Sequence, residues 1–324
     1  MYELHQVLIA PITAELNTSK LLIIPNELMN QVPFDALLTA PIDVKSNPSR
    51  FAQDFPFLIK SFGINTGYSA TLLVEQSKIQ LPNFKTQLLA LGPVFDTQEA
   101  YSPAVNSFLK SISTTSPGQS LTLQPLLGSL SELTEIEKIV DSKVPLWKRL
   151  WNDQTEILLR HSVTEHDLKE RDLTAYRYLH FATHSFADQR SPVNSGILLQ
   201  TNESSGEDGI LHASEIFGLK ISAELVVLSS CETALDFAGG SVGISGFAKG
   251  FIYAGAKNII ASLWPSDDTA TMLLMRQFYL NLNSDPSIDS ALRKSKIQLI
   301  TSDGPISHPY YWSGFIHIGS SPGS

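Results

Sequence analysis

The sequence predicts an α/β protein with a mostly parallel sheet flanked by helices. Short apolar runs rich in β-branched residues, such as residues 225–228, have the pattern of strands that are covered on both faces. Segments with helical spacing of apolar residues lie between these runs, an alternation typical of parallel strands joined by helices. A hydrophobic content of 43% over 324 residues is enough for one large domain or two ordinary ones.

The predicted elements are bounded by proline, glycine and small polar residues. The predicted strands cover residues 21–24, 57–68, 88–91, 156–159, 177–183, 196–200, 225–230, 258–264 and 315–318. The predicted helices cover residues 4–12, 70–77, 130–140, 164–171, 242–254, 267–282 and 288–300. We expect Thr164 to cap the helix that it precedes. We also expect Glu132 and its acidic neighbours to stabilise an early helical turn through the helix dipole.

Composition excludes several classes of protein. The chain has 23 Lys and Arg against 32 Asp and Glu, a formal net charge of -9, so nucleic acid is not an expected partner. It has one cysteine and no internal disulfide, and its N-terminus lacks the pattern of a secretory signal, which together favour a cytoplasmic location. No apolar run approaches the roughly 18 residues of a membrane span, so no membrane partner is expected.

The single cysteine, Cys231, directly follows the predicted strand 225–230. Ligands and reacting groups of open α/β sheets collect at the carboxyl ends of the strands, a position that suits a nucleophilic thiol. His184 follows the predicted strand 177–183 in the same way, and 231 minus 184 is 47 residues. In caspases the histidine lies about 50 residues upstream of the cysteine. An imidazole at the same edge can take the thiol proton, whereas the alternative role for Cys231 is that of a small buried hydrophobe.

His180 invites a metal-binding interpretation because it lies on the same side of its predicted strand as His184. Four residues at about 3.3 Å each leave the two side chains about 13 Å apart, too far to share one ion. We therefore expect no metal site, and we interpret His180 as a residue of the core or as a support for the site.

Ser241 is a rival nucleophile, because residues 239–243 match the Gly-x-Ser-x-Gly pattern of α/β-hydrolases and Asp267, Asp268 and His308 follow in the chain order of that fold. The motif needs a strand directly before the serine, and residues 233–240 are predicted to be a loop.

The carboxylate of Asp267 has two possible roles. It could cap the helix that follows, as could Ser266, or it could bind a basic substrate side chain.

Several stretches in the same order resemble the CHAT family of caspase-like cysteine peptidases, which are related to separase and caspases in clan CD. They are residues 22–25 (LIIP), 33–37 (PFDAL), 179–184 (LHFATH), 225–233 (LVVLSSCET), 254–256 (AGA), 262–271 (SLWPSDDTAT) and 308–312 (HPYYW). The resemblance covers nearly the whole chain. It implies the caspase-hemoglobinase fold, with a noncatalytic N-terminal half, residues 1–150, packed on a catalytic half, residues 151–324.

The resemblance also implies roles for individual residues. Cys231 would be the nucleophile and His184 the general base and acid, and the backbone N–H groups of Ser185 and Cys231 would form the oxyanion hole. Most relatives have glycine in place of Ser185, a change that a backbone donor tolerates unless the position needs a positive φ. Asp268 is the first candidate for binding a basic P1 side chain. Further candidates for substrate binding are Asp267, Glu232 and Asp188.

The implied activity is that of a cysteine endopeptidase that cleaves a protein substrate without a cofactor. CHAT domains usually follow helical repeats of the tetratricopeptide kind, and this chain contains none, so we expect a regulatory region or protein of that kind as a partner. The alternative function is a caspase-fold scaffold that is catalytically silent and binds other proteins.

Overall fold

A computed structural model describes residues 1–26, 29–42, 52–93, 103, 105–107, 126–142, 154–186, 195–202, 204–229 and 242–319. The helices are α1 (Tyr2–Leu8), α2 (Leu58–Ser61), α3 (Ala70–Lys78), α4 (Leu127–Ser142), α5 (Glu165–Glu170), α6 (Ala213–Ile216), α7 (Val242–Tyr253), α8 (Asp268–Ser284) and α9 (Ile288–Ile300). The strands are β1 (Lys20–Ile23), β2 (Gly63–Thr66), β3 (Thr86–Gly92), β4 (Thr155–Leu159), β5 (Tyr176–Phe181), β6 (Ser185–Phe186), β7 (Gly196–Leu198), β8 (Ile210–His212), β9 (Leu225–Leu228), β10 (Asn258–Ser262) and β11 (Phe315–Gly319).

Eight strands of the described residues form one sheet in the order β1-β2-β11-β10-β9-β5-β3-β4. Neighbouring strands run parallel at each of these pairs except β10 and β11, which are antiparallel. The carboxyl ends of β10, β9, β5, β3 and β4 therefore meet at one edge of the sheet, the edge where parallel sheets bind ligands. The prediction of a mostly parallel sheet flanked by helices is confirmed.

Helices cover both faces of this sheet, which explains why the central strand β9 is apolar along its whole length. Tyr178 and Ala182 face a core that α4, α8 and α9 complete with residues such as Leu133, Leu274 and Leu299. Alternate residues of the same strand, Leu179 and Phe181, face a second core, which includes Leu168 of α5, Ile216 of α6 and Phe251 of α7. The alternation follows from the two-residue period of a strand.

The N-terminal segment is held against α9 by charged groups. Lys296 of α9 is buried and donates hydrogen bonds to the carboxylate of Asp35 and to the carbonyl of Phe315. Lys20 forms an ion pair with Asp289 at 2.8 Å. A buried ammonium is tolerated only where a carboxylate and further acceptors surround it, so these contacts join residues far apart in sequence in a specific way.

A second, three-stranded sheet consists of the antiparallel strands β6, β7 and β8. The sequence predicts only β7 of these strands. β6 has two residues and β8 has three, which is too short for hydrophobic alternation to be visible.

Two sequence predictions about the larger elements need correction. The predicted strand 57–68 is wrong in its first half, where Leu58–Ser61 forms a helix before β2 begins at Gly63. A short apolar run fits a buried helical turn as well as a strand, so periodicity alone does not separate the two. The predicted strand 177–183 ends earlier, at Phe181. The division of the chain into two halves at residue 150 stays a prediction. Strands from both halves belong to the eight-stranded sheet.

Candidate active site

Strands β5 and β9 are neighbours in the middle of the large sheet and run parallel. Tyr178 lies opposite Leu225, and Phe181 lies opposite Leu228 at the carboxyl end of the pair. The register offset is 228 minus 181, or 47 residues, and it equals the separation of His184 from Cys231. Each of these two residues follows the last paired residue of its own strand by three positions. Cys231, Glu232 and Asp188 lie outside the described residues.

His184 is almost completely buried, with 1% of its surface exposed. Its carbonyl oxygen accepts a hydrogen bond from the Leu198 N–H at 2.8 Å, and the Thr183 hydroxyl donates to the Leu198 carbonyl at 2.6 Å. The segment that leaves β5 is thus fixed against β7 of the small sheet. The backbone that carries the imidazole is therefore held on both sides of residue 184.

Ser185 begins β6 and lies opposite Ile197. In the neighbouring pair, the Leu198 N–H donates a hydrogen bond to the His184 carbonyl. Hydrogen-bonded pairs alternate with pairs that share no hydrogen bond in an antiparallel ladder. The N–H of Ser185 therefore faces away from β7. The backbone is extended here, so a serine fits a position where a positive φ would have required glycine.

Asp267 and Asp268 follow β10, whose carboxyl end lies at the same edge of the sheet as those of β9 and β5. The carboxylate of Asp267 accepts a hydrogen bond from the Ala270 N–H at 2.9 Å and caps α8, which confirms the capping role. Asp268 is exposed. It lies close to Gly128 in the first turn of α4, since a Cβ added to Gly128 would be 3.1 Å from the Cβ of Asp268. Asp267 and Asp268 are both exposed at this edge of the sheet.

The turn between β10 and α8 is held by an aromatic pair. The Trp264 indole N–H donates to the Tyr310 carbonyl at 3.0 Å, and the Tyr310 hydroxyl donates to the Pro265 carbonyl at 3.0 Å. The two rings are stacked, with centroids 6.4 Å apart. These contacts fix the turn that leads to Asp267.

His180 lies within the core and has hydrogen-bond partners from three other elements, which confirms its interpretation as a core residue. Its Nε2 lies 2.8 Å from Oε1 of Glu132 and 3.1 Å from Oγ of Ser229, and its Nδ1 lies 3.0 Å from the hydroxyl of Tyr279. Burial raises the pKa of Tyr279 well above its ordinary value, with the nearby Glu132 adding to the effect.

Sequence reasoning missed this cluster because it assigned Glu132 to an interaction with the helix dipole. Glu132 is buried, five residues after the first residue of α4. A signal was available, since Ile136 follows Glu132 by four residues and is itself a core residue. Residues with this spacing lie on the same face of a helix.

Two of the three residues that could support Ser241 have structural roles. Asp267 caps a helix, and His308 accepts a hydrogen bond on Nδ1 from the Tyr310 N–H at 3.2 Å, capping a short 3-10 turn. Ser241 lies outside the described residues.

A cluster of acidic residues lies on the side of the molecule formed by α5 and α6. Glu165, Glu207 and Glu215 have carboxylate oxygens within 4.8 Å of one another, a spacing that could hold a metal ion. The ammonium of Lys169 lies 2.6 to 2.8 Å from all three carboxylates. The lysine thus supplies the positive charge that a cation would otherwise bring.

No helix in the described part of the chain combines the length and the apolar character that crossing a bilayer requires.

A family model described as CHAT domain matches residues 1–320. Two curated relatives match about a third of the chain. Tetratricopeptide repeat protein 28 of Mus musculus is 32% identical over 114 residues, and its counterpart in Homo sapiens is 30% identical over 111 residues. The matched part is 34% of this chain and only 4% of each relative.

Two solved structures are similar at low sequence identity. The separase of the Saccharomyces cerevisiae separase-securin complex is 13% identical, with a TM-score of 0.44 over 81% of this chain and 14% of the other. The Arg-specific cysteine proteinase gingipain R is 10% identical, with a TM-score of 0.46 over 80% of this chain and 54% of the other.

Proposed function

The chain belongs to the CHAT domain family, and from this we propose that it is a cysteine endopeptidase with Cys231 as nucleophile and His184 as general base. The observation that carries the proposal is the register of β5 and β9. Phe181 pairs with Leu228, and His184 and Cys231 each follow three residues later. Two chain segments that leave neighbouring parallel strands at the same level start close together, about 4.8 Å apart.

In this mechanism His184 takes the proton of the Cys231 thiol, and the thiolate attacks the carbonyl carbon of the scissile peptide bond. The C–N bond then breaks, and the leaving amine takes the proton from His184. Water attacks the resulting thioester with His184 as base, the C–S bond breaks, and the Cys231 thiolate takes the proton back from His184 as the acid product leaves. The Ser185 N–H, which faces away from β7, is proposed to donate to the oxyanion together with the Cys231 N–H.

Asp268 is the proposed contact for a basic P1 side chain. Support comes from its exposure and from its position after β10, at the same edge as the ends of β5 and β9. Asp267 is a further candidate, and its carboxylate also caps α8. Glu232 and Asp188 remain candidates from the sequence.

We propose that a protein partner controls this activity. The imidazole of His184 is buried, so a peptide can reach it only after neighbouring groups move. A partner of the tetratricopeptide kind is suggested by the two curated relatives, whose names describe such repeats. A cytoplasmic location, predicted from the cysteine content, is part of this proposal.

The test compares the wild-type chain with Cys231→Ala, His184→Ala and Ser241→Ala on a peptide library that varies the P1 residue. Replacement of Cys231 should abolish cleavage, and replacement of His184 should lower its rate by about 10² to 10⁴-fold. Ser241→Ala is the control and should retain full activity. Turnover that persists in Cys231→Ala would contradict the cysteine mechanism and favour Ser241.

The second candidate function is a catalytically silent scaffold that binds proteins. The observation that favours it is the similarity to tetratricopeptide repeat protein 28, whose name describes repeats and no enzymatic activity. This function predicts that the wild-type chain cuts no peptide. It also predicts that Cys231 reacts with iodoacetamide no faster than an unperturbed thiol does.

A further inference from the structure

The hydrogen bonds of His180 join four elements directly behind the ends of β5 and β9. Its Nε2 is 3.1 Å from Oγ of Ser229, the residue that follows β9, so the two strand ends are linked through side chains. The Ser229 N–H also donates to the Phe181 carbonyl at 3.0 Å, which links them through the backbone. Beyond this level the chain continues toward His184 and Cys231.

Two helices complete the cluster from one face of the sheet. Glu132 of α4 lies 2.8 Å from Nε2 of His180, and the Tyr279 hydroxyl of α8 lies 3.0 Å from Nδ1. The exposed fraction is 4% for Glu132 and at most 1% for His180, Ser229 and Tyr279. We refer to these four side chains as the His180 network.

Such a network is a costly way to stabilise a core. Removing a carboxylate and an imidazole from water carries a large desolvation penalty, and apolar side chains of the same volume often give equal or higher stability. A network of this kind does provide a unique geometry, because each hydrogen bond fixes a distance and a direction. The geometry that it fixes here is that of the two strand ends.

The network is close in sequence to both members of the proposed catalytic dyad, His184 and Cys231. His180 precedes His184 by four residues, and Ser229 precedes Cys231 by two. A displacement of about 1 Å between reacting groups can lower a rate by about 10²-fold. A rigid link between the strands at this level therefore bears directly on how the dyad is aligned.

We infer that Glu132, His180, Ser229 and Tyr279 are positioning residues that hold the ends of β5 and β9 against α4 and α8 and thereby set the reactivity of Cys231. This inference rests on the proposed function, since it takes His184 and Cys231 as the reacting pair. The four side chains act through backbone geometry and do not contact the substrate. Because α8 begins at Asp268, the same network also ties the proposed P1 contact to the dyad.

The structure offers a matched control in another buried histidine of the same sheet. His317 of β11 has Nδ1 2.9 Å from Oδ1 of Asn65 and Nε2 2.9 Å from Oδ1 of Asn258. It is as buried as His180 and has partners on both ring nitrogens. β11 is separated from β9 by β10, so His317 does not belong to the strand pair that leads to the dyad.

The experiment compares His180→Gln, Glu132→Gln and Tyr279→Phe with the control His317→Gln in the full chain. Urea unfolding first establishes that each variant is folded, and Tyr279→Phe is included because it removes a single oxygen atom. The rate at which iodoacetamide alkylates Cys231 is then measured from pH 5 to pH 9. This readout is specific because the chain has one cysteine. For variants that cleave peptides, kcat and KM are measured separately.

We expect His180→Gln and Glu132→Gln to slow alkylation at pH 7 by about 10-fold or more, to move the midpoint of the pH profile, and to lower kcat with little change in KM. Tyr279→Phe should show a smaller change in the same direction. His317→Gln should lose stability and keep the wild-type profile.

Network variants that fold and keep the wild-type alkylation profile would overturn the inference and leave the peptidase proposal intact. If the wild type cuts no peptide and the network variants still change the profile, the peptidase proposal fails and the positioning role stands. A wild-type Cys231 that reacts like an unperturbed thiol at every pH would overturn both.

Discussion

Phe181 lies opposite Leu228 at the carboxyl end of the parallel pair of β5 and β9. This pairing converts a separation of 47 residues in sequence into adjacency at one edge of the sheet. It explains why a histidine and a cysteine with that separation are candidates for one active site.

Replacement of Asp268 by asparagine should remove the preference for Arg or Lys at P1 without loss of fold, because the change removes an exposed charge and keeps the shape. The measurement is kcat/KM for peptides that differ only at P1. Asp267→Ala is the comparison, and it should lower the free energy of unfolding by about 1 kcal/mol because the cap of α8 is lost, while the P1 preference remains. An unchanged P1 preference in Asp268→Asn would exclude this residue as the contact.

His317 should make the fold sensitive to acid. Its pKa is lowered to about 4, chiefly by burial; Asp289 raises the pKa, and Lys296 and Lys20 lower it. In the unfolded chain the pKa is near 6.5, so the unfolded state binds the proton first as the pH falls. The neutral imidazole therefore stabilises the fold above pH 6.5, and roughly 3 kcal/mol of this stability is lost as the pH falls toward 4.

The measurement for His317 is urea unfolding at pH 7 and at pH 4. Other acidic groups also titrate in this range, so the result is read as a comparison between wild type and His317→Gln. The variant should show a smaller difference between the two pH values. An equal difference in both proteins would show that another group causes the acid sensitivity.

Lys169→Met should destabilise the fold, and more so as the pH rises. Burial raises the pKa of Glu165 to about 7, so its ionisation in the folded state is unfavourable, and the Lys169 ammonium offsets part of this cost. A group whose pKa is raised on folding stabilises the fold below its unfolded pKa, near 4.5, and this stability is lost as the pH rises through the folded pKa. Without the ammonium the pKa of Glu165 in the folded state should rise further, so the loss should continue above pH 7, and at pH 8 Lys169→Met should be less stable than wild type by about 3 kcal/mol.

The control for Lys169 is Lys138→Met, since Lys138 forms an exposed ion pair with Glu135 at 2.9 Å. Exposed pairs contribute little, so this variant should stay within about 0.5 kcal/mol of wild type at each pH. Urea midpoints from pH 5 to pH 8 give the comparison. Parallel curves for the two variants would contradict the stabilising role of Lys169.

Gly255→Ala should be strongly destabilising because two constraints act at this position. Its φ is 114°, in the region that favours glycine, and an added Cβ would lie 2.0 Å from the Ile221 carbonyl oxygen. We expect a loss of about 3 kcal/mol or more in the free energy of unfolding. Gly206 has a φ of 78° and no atom within 4 Å of an added Cβ, so Gly206→Ala should lose only about 1 kcal/mol. Equal losses would mean that backbone conformation alone explains the glycine at 255.

The class of fold and most of its elements follow from local patterns. The run at 225–228 is apolar at every position because β9 is buried on both faces, and Thr164 and Asp267 cap helices as their residue types predict. The segment after Phe57 was predicted incorrectly because its apolar run is too short to distinguish a helical turn from a strand.

The sequence by itself determined the α/β class, the parallel character of the sheet and the choice of His184 and Cys231 as candidates, since these depend on periodicity, residue type and spacing along the chain. Only the tertiary structure decided that β5 and β9 are neighbours with Phe181 opposite Leu228, and that Glu132 and Tyr279 meet His180 in the core. The physical reason is that strand order and helix packing depend on contacts between residues far apart in sequence. A carboxylate such as Glu132 looks the same in the sequence whether a helix turns it toward water or toward a buried imidazole.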